Sequence, residues 1–192
     1  MLKEQIMNNA ARLTVQMKSE AIGSWNLLMQ KGFYKTGPAG RTVREFITSA
    51  LGYESDYIDD SVRTIFLNYS PVDDIDDTLV RDGDKLSLGS AMPGLVGIVM
   101  GRDNPFKSFR EDITCHESSA DGEDVDDVHV FMKIFSTLAV DTGADVLASG
   151  IETTAGEVRH IIEQQKAHLH SIDGLDGLDN DASVEVSVEF SE

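Results

Sequence analysis

The residues best suited to chemistry lie between Ala91 and Arg110. Pro93, Gly94 and Gly97 shape backbone rather than fill cores, and they come straight after a strand-like run. Arg102, Lys107 and Arg110 follow, flanking Phe106 and Phe109. Cationic groups beside aromatic rings can dock a carboxylate, a phosphate or an acidic protein surface. They can equally pair with the protein's own acidic second half, residues 111–192, within or between chains. The second use is the expectation here, because the balancing acid is already in the molecule.

Other constellations are weaker. Cys115, the single cysteine, stands beside His116 and would be a nucleophile if His116 or His129 served as its base. No Gly-x-Ser-x-Gly elbow accompanies it, and Gly37-Pro-Ala-Gly-Arg41 lacks the Lys-Ser/Thr of a phosphate-cradling loop. His160 and His168 would lie about 12 Å apart along a helix, too far to share an ion. Among Asp173, Asp176, Asp179 and Asp181 the EF-hand spacing fails, since a loop starting at Asp179 puts Val184 where glycine is required. The sequence therefore assigns no catalytic residue, no metal ligand and no cofactor.

Charge narrows the partners. The 192 residues carry 34 acids against 16 bases, a formal net charge of -18. Residues 1–110 are nearly balanced, with 14 acids and 13 bases. Residues 111–192 hold 20 acids and only three bases, Lys133, Arg159 and Lys166. Nucleic acid and anionic membranes are poor partners for such a chain, because both are bound by neutralising phosphate with Lys and Arg. No apolar run approaches the length of a bilayer span. The start MLKEQIMNNAAR carries charge and amide groups where a signal peptide needs an apolar stretch, and one cysteine excludes an intrachain disulfide. Both features lead to the expectation of a cytoplasmic protein.

The elements that must position these residues are read from periodicity. Leu13, Val15 and Met17 alternate within Arg12–Ala21 as in a half-buried strand. Gly23-Ser24 reads as a turn into a second strand over Trp25–Met29, and Lys31–Arg41 as a loop. Thr42-Val-Arg-Glu45 is a capping box opening a helix with Val43, Phe46, Ile47, Ala50 and Leu51 on one stripe, closed at Gly52. Strands follow over Val62–Asn68 and Lys85–Ser90, the second entered through a tight turn at Gly83. Gly101–Arg110 reads as a basic loop. Residues 118–127, SSADGEDVDD, mark a linker between a domain of residues 1–110 and an acidic α+β region of residues 111–192. In that second region Val128, Val130, Met132 and Ile134 alternate as a strand. Ser136–Ser149 fits either a helix carrying Gly143 or a hairpin. Thr154-Ala-Gly-Glu157 caps a helix reaching about Leu169, and Val184, Val186, Val188 and Phe190 alternate in a final strand.

The helix TVREFITSAL, the run IFLNYSPVDDI and the stretch TLVRDGDKLSL resemble the β-grasp, or ubiquitin-like, fold of the sulfur-carrier proteins of molybdopterin and thiamine synthesis. The resemblance covers residues 12–90 and implies a ββαββ first half. Carriers of this kind act through a free C-terminal Gly-Gly carboxylate. Here AMPGLVG takes that position and the chain runs on for 95 residues past Gly97, so carrier chemistry would need cleavage after Gly94 or Gly97.

The expectation is thus an α+β protein, a β-grasp-like half followed by an acidic α+β half. It would act as a non-catalytic binding or assembly protein through Pro93, Gly94, Gly97, Arg102, Lys107 and Arg110. Its partner would be another protein or its own copies, the one-sided VEVSVEF strand suiting assembly. The alternatives are a sulfur carrier activated at a processed glycine segment, or an enzyme using Cys115.

Overall fold

Thr42 accepts a hydrogen bond from the Glu45 backbone while the Glu45 carboxylate takes the Thr42 N–H, and this capping box starts a helix at Val43. The feature belongs to a computed structural model that describes residues 10–90, 94–102, 104–115 and 126–192. The architecture is mixed α+β. Two compact units make it up: the described part of Met1–Phe33 with Thr142–Glu192, and the described part of Tyr34–Asp141.

The first unit holds β1 (Ala11–Lys18), α1 (Ile22–Lys31), β7 (Ile151–Thr154), α6 (Ala155–Gln164), β8 (Leu169–Asp173) and β9 (Ser183–Ser191). Its strands run β7-β9-β1-β8. β9 pairs antiparallel with β7 and parallel with β1, and β8 closes antiparallel on β1. Leu13, Val15, Met17, Val184, Val186 and Val188 are buried on one face, as the alternation demands. The apolar face of the terminal strand is therefore spent inside its own chain. The expectation that it suits assembly falls with that.

The second unit holds nearly all of β2 (Phe33–Pro38), then α2 (Val43–Leu51), α3 (Ser55–Ser61), β3 (Thr64–Leu67), β4 (Ser70–Pro71), β5 (Lys85–Gly89), α4 (Gly94–Met100) and β6 (Asp127–Ile134). Its strands run β4-β3-β5-β6-β2. Register stacks Ile65, Leu88 and Ile134 in one row and Leu67, Leu86 and Met132 in the next, all buried. Helix α2 lies on this closed face: a Cβ on Gly37 of β2 would stand 2.8 Å from the Phe46 ring. The remaining helix, α5 (Ser136–Ala148), spans the division between the units at Asp141.

Several expectations are corrected. Trp25–Met29 is helix, not strand: Ala21, Trp25, Leu28 and Met29 form a buried stripe at helical spacing, and the Trp25 indole N–H donates to the Met17 sulfur. Residues 31–41 are not all loop, because Phe33, Lys35 and Gly37 turn inward as β2. With a helix between the first two strands, the ββαββ order is not the observed one, and a β-grasp half is not confirmed. The helix after Thr154 stops at Gln164, and Leu169 begins a strand. Only the Thr154 half of that cap is seen there, while Glu157 reaches Lys31 instead.

The open alternative at 136–149 resolves as helix. Gly143 is tolerated there because a Cβ would meet Met29 Cε at 2.6 Å and Asn26 Oδ1 at 2.7 Å, so the glycine lets α1 approach. Gly52 and Gly83 both take positive φ, as their turns require. No helix among the described residues is long and apolar enough to cross a membrane.

Candidate functional site

The expected site residues scatter into different roles. Pro93 lies outside the described residues, as do His116 and residues 118–125 of the expected linker. Gly94 opens α4 and Gly97 is buried inside it, so this segment is helical rather than a loop. Residues 107–113 form 3₁₀ turns. Arg102 is buried, and its guanidinium donates to the carbonyls of Ile58 and Val62 at the end of α3, where the helix's C-terminal carbonyls favour a cation.

Arg110 is only 3% exposed. It holds Asp73 through two N–H donors at 2.6 and 3.2 Å and also donates to the carbonyls of Val99 and Gly101 and to Thr114 Oγ1. The cation does pair within the chain, but its acid comes from the balanced first half rather than from residues 111–192. Lys107 alone of the three is exposed, near the stacked, exposed rings of Phe106 and Phe109. The cluster thus divides into two internal clips and one surface lysine.

Cys115 sits at the edge of a polar depression of about 320 Å³ with Thr114, Arg81 and Asp84. Asp84 is committed there, accepting from Asn68 Nδ2 and from the Arg81 backbone. His129, one of its suggested bases, has its ring stacked on Tyr34. Among the described residues no three His, Cys, Asp or Glu side chains are grouped to hold a metal ion.

Another concavity lies on the open face of the second unit's sheet. The register that buries Leu86, Leu88, Met132 and Ile134 sends their neighbours outward. Phe66, Ser87 and Lys133 form one outward row across β3, β5 and β6, and Lys85 faces Phe131 in the next. Tyr34 of β2 extends that second row, edge-on to Phe131 at 5.0 Å and stacked on His129 at 4.4 Å with 8° between the planes. The result is a hollow of about 400 Å³ walled by Phe66, Tyr69, Phe131 and Phe135, with Lys85, Lys133 and Ser87 supplying the polar groups. A second hollow of about 340 Å³ shares Phe66, Ser87 and Phe135 and ends at Ser136.

Electrostatics single this face out. No carboxylate lines either hollow. Lys133 is one of only three bases in residues 111–192, and it is placed here. Lys85 Nζ donates to Tyr69 Oη at 3.0 Å, which lowers the Tyr69 phenol and raises the Lys85 ammonium, the hydrogen bond acting ahead of the bare charge attraction. Lys133 Nζ lies 5.8 Å from the Phe131 ring centre. Asn68 and Tyr69, at φ 49° and 72°, form the two-residue turn joining β3 to β4, which needs positive φ at both positions, and Ser136 takes φ 59° where α5 begins. Sequence reading missed the site because its residues come from four strands. The available signal was the outward half of each alternating strand, where Phe66, Phe131 and Lys133 stand in place of neutral polar residues.

No family model, no curated protein and no solved structure matches the chain.

Proposed function

We propose that the protein is a non-catalytic binding module whose site is the open sheet face of the second unit. Its ligand is an anion with a flat apolar body. The observation that carries this reading is an acid-free hollow walled by aromatic rings and bearing two lysines, in a chain of net charge -18. Hollows of this size and lining suit small ligands, with a few polar groups fixing orientation. The face departs most from its surroundings at Lys133, since residues 111–192 hold 20 acids and only three bases. Rings and ammonium groups together exclude water from one side of a ligand and neutralise the other.

The test uses anilinonaphthalene sulfonate, an aromatic anion that fluoresces when shielded from water. The full chain is expected to bind it, and Lys85→Glu with Lys133→Glu to weaken that binding at least tenfold. Because the exposed rings near α4 could also attract the dye, Phe109→Ser serves as the control and should leave most of the signal. Cys115→Ser should leave it unchanged. Dye binding lost in Phe109→Ser but kept in the double lysine variant would overturn the reading.

A further inference from the structure

We infer that the ligand of this face is a mononucleotide, its base stacked on the sheet's aromatic rings and its phosphate held between Lys85 and Lys133. The inference rests on the reading above and narrows it to one chemical class. Three observations lead to it.

The first is ring geometry. Tyr34 and His129 are already parallel and stacked, and Phe131 meets Tyr34 edge-on, so the face is organised around π contacts. Tyr34 stands beside the hollow, and the rings that line it and can take another flat ring are Phe66, Tyr69, Phe131 and Phe135. Base-on-aromatic stacking tolerates any base, because every base has a π face.

The second is the placement of charge. Lys85 is opposite Phe131, and Lys133 is two residues further along the same strand, opposite Ser87. Their backbone positions therefore flank one ring position from adjacent rows, roughly 7 Å apart along the strand direction at the usual rise. Among the described residues neither is paired with a carboxylate; their partners are the Tyr69 hydroxyl and the Phe131 ring. An acidic peptide would satisfy the lysines but would need an aromatic side chain of its own to use the rings.

The third is scale. A hollow of about 400 Å³ falls at the lower end of ligand-sized sites and matches one base with its sugar and phosphate. Two lysines neutralise one phosphate. A polymer would set a row of phosphates against a chain of net charge -18, and long-range repulsion opposes that. A mononucleotide avoids most of that repulsion.

Calorimetric titration of the full chain with AMP tests the inference, with adenosine, inorganic phosphate and a ten-residue oligoadenylate as separate titrants. AMP should bind at least tenfold more tightly than adenosine or phosphate alone, and no more weakly than the oligonucleotide. Phe131→Ala and Lys133→Gln should each weaken AMP about tenfold. Phe131→Leu, which keeps apolar bulk in the sheet, should weaken it nearly as much, separating loss of stacking from loss of folding. A flat AMP titration in a protein that still binds the naphthalene sulfonate through Lys85 and Lys133 would overturn the nucleotide and leave the binding face standing. A flat titration together with lysine-independent dye binding would overturn both. Oligonucleotide binding much tighter than AMP, abolished by the same variants, would replace the mononucleotide with a single strand.

Discussion

At the scale of the residue, Tyr69 is where geometry and titration meet. It is 79% exposed, yet its backbone sits at φ 72° and its hydroxyl takes a hydrogen bond from Lys85. That bond, with the nearby ammonium charge, favours the phenolate and moves Tyr69 below the ordinary tyrosine range, while Lys85 moves up. Because a depressed acid stabilises the fold only once ionised, this pair contributes nothing through Tyr69 ionisation at neutral pH and begins to do so only on alkaline titration. Tyr57 moves the other way, raised first by burial and then by the charge of Asp141. An ultraviolet titration of phenolate absorbance should therefore be spread out. Its earliest ionisation should vanish in Tyr69→Phe and shift upward in Lys85→Met. A titration in which Tyr69→Phe removes a tyrosine of ordinary pKa would show that the contact does not form in solution.

At the scale of the element, Arg110 fastens two short helical pieces to each other and to Asp73. The 3₁₀ turns at 107–113 and helix α4 both expose apolar side chains, among them Leu95, Val96, Phe109 and Ile113. Arg110 ties them to Asp73, to Val99 and to Gly101. Arg110→Ala removes a buried cation and leaves Asp73 and two carbonyls without their donor, which should cost about 3 kcal/mol in urea unfolding. Arg110→Lys should recover only part, since an ammonium cannot reproduce the two-pronged contact with Asp73. Lys107→Ala should change stability by less than about 0.5 kcal/mol. Equal effects from the two alanines would mean the segment is not held as described.

These residues also show how much the chain disclosed in advance. Helix α2 was legible because its cap, stripe and terminal Gly52 are all local. Strands β1, β5, β6 and β9 were legible from strict alternation. The helix at Trp25 was misread because Gly23-Ser24 looks like a hairpin turn, although a Cβ at Gly23 would meet nothing and the glycine only marks the exposed side of α1. β2 was hidden by Gly37 and Pro38, the first there because Phe46 leaves no room for a side chain. Arg102 and Arg110 looked like surface chemistry because sequence lists cations without saying which carbonyls they will meet.

At the scale of the whole molecule, the least legible fact is that the two ends of the chain form one unit. β1 and β9 pair in parallel from Ala11 with Val184 to Lys18 with Ser191, across about the full length of the sequence. No local pattern encodes such a register; it is set by which faces can be buried together. β9 then has β7 on its other side, so it is an interior strand of its unit and its valines are fully buried. The prediction follows from that position. Val186→Asp places an unpaired carboxylate among Leu13, Val184 and Val188, a change expected to cost more than about 4 kcal/mol and to remove the cooperative thermal transition. Glu185→Gln, one residue away on the open face, loses only an exposed contact with Arg12 at 3.0 Å and should shift stability by less than about 1 kcal/mol. Deleting residues 183–192 should act like Val186→Asp, because β1 and β7 would both be left with a bare edge open to other chains. If Val186→Asp and Glu185→Gln were equally mild, β9 would not be the interior strand, and the first unit would lose the core that joins its two distant segments. Since every native contact of β9 spans long stretches of sequence, its pairing has to wait for slow, non-local closure, and refolding of the intact chain should be correspondingly slow.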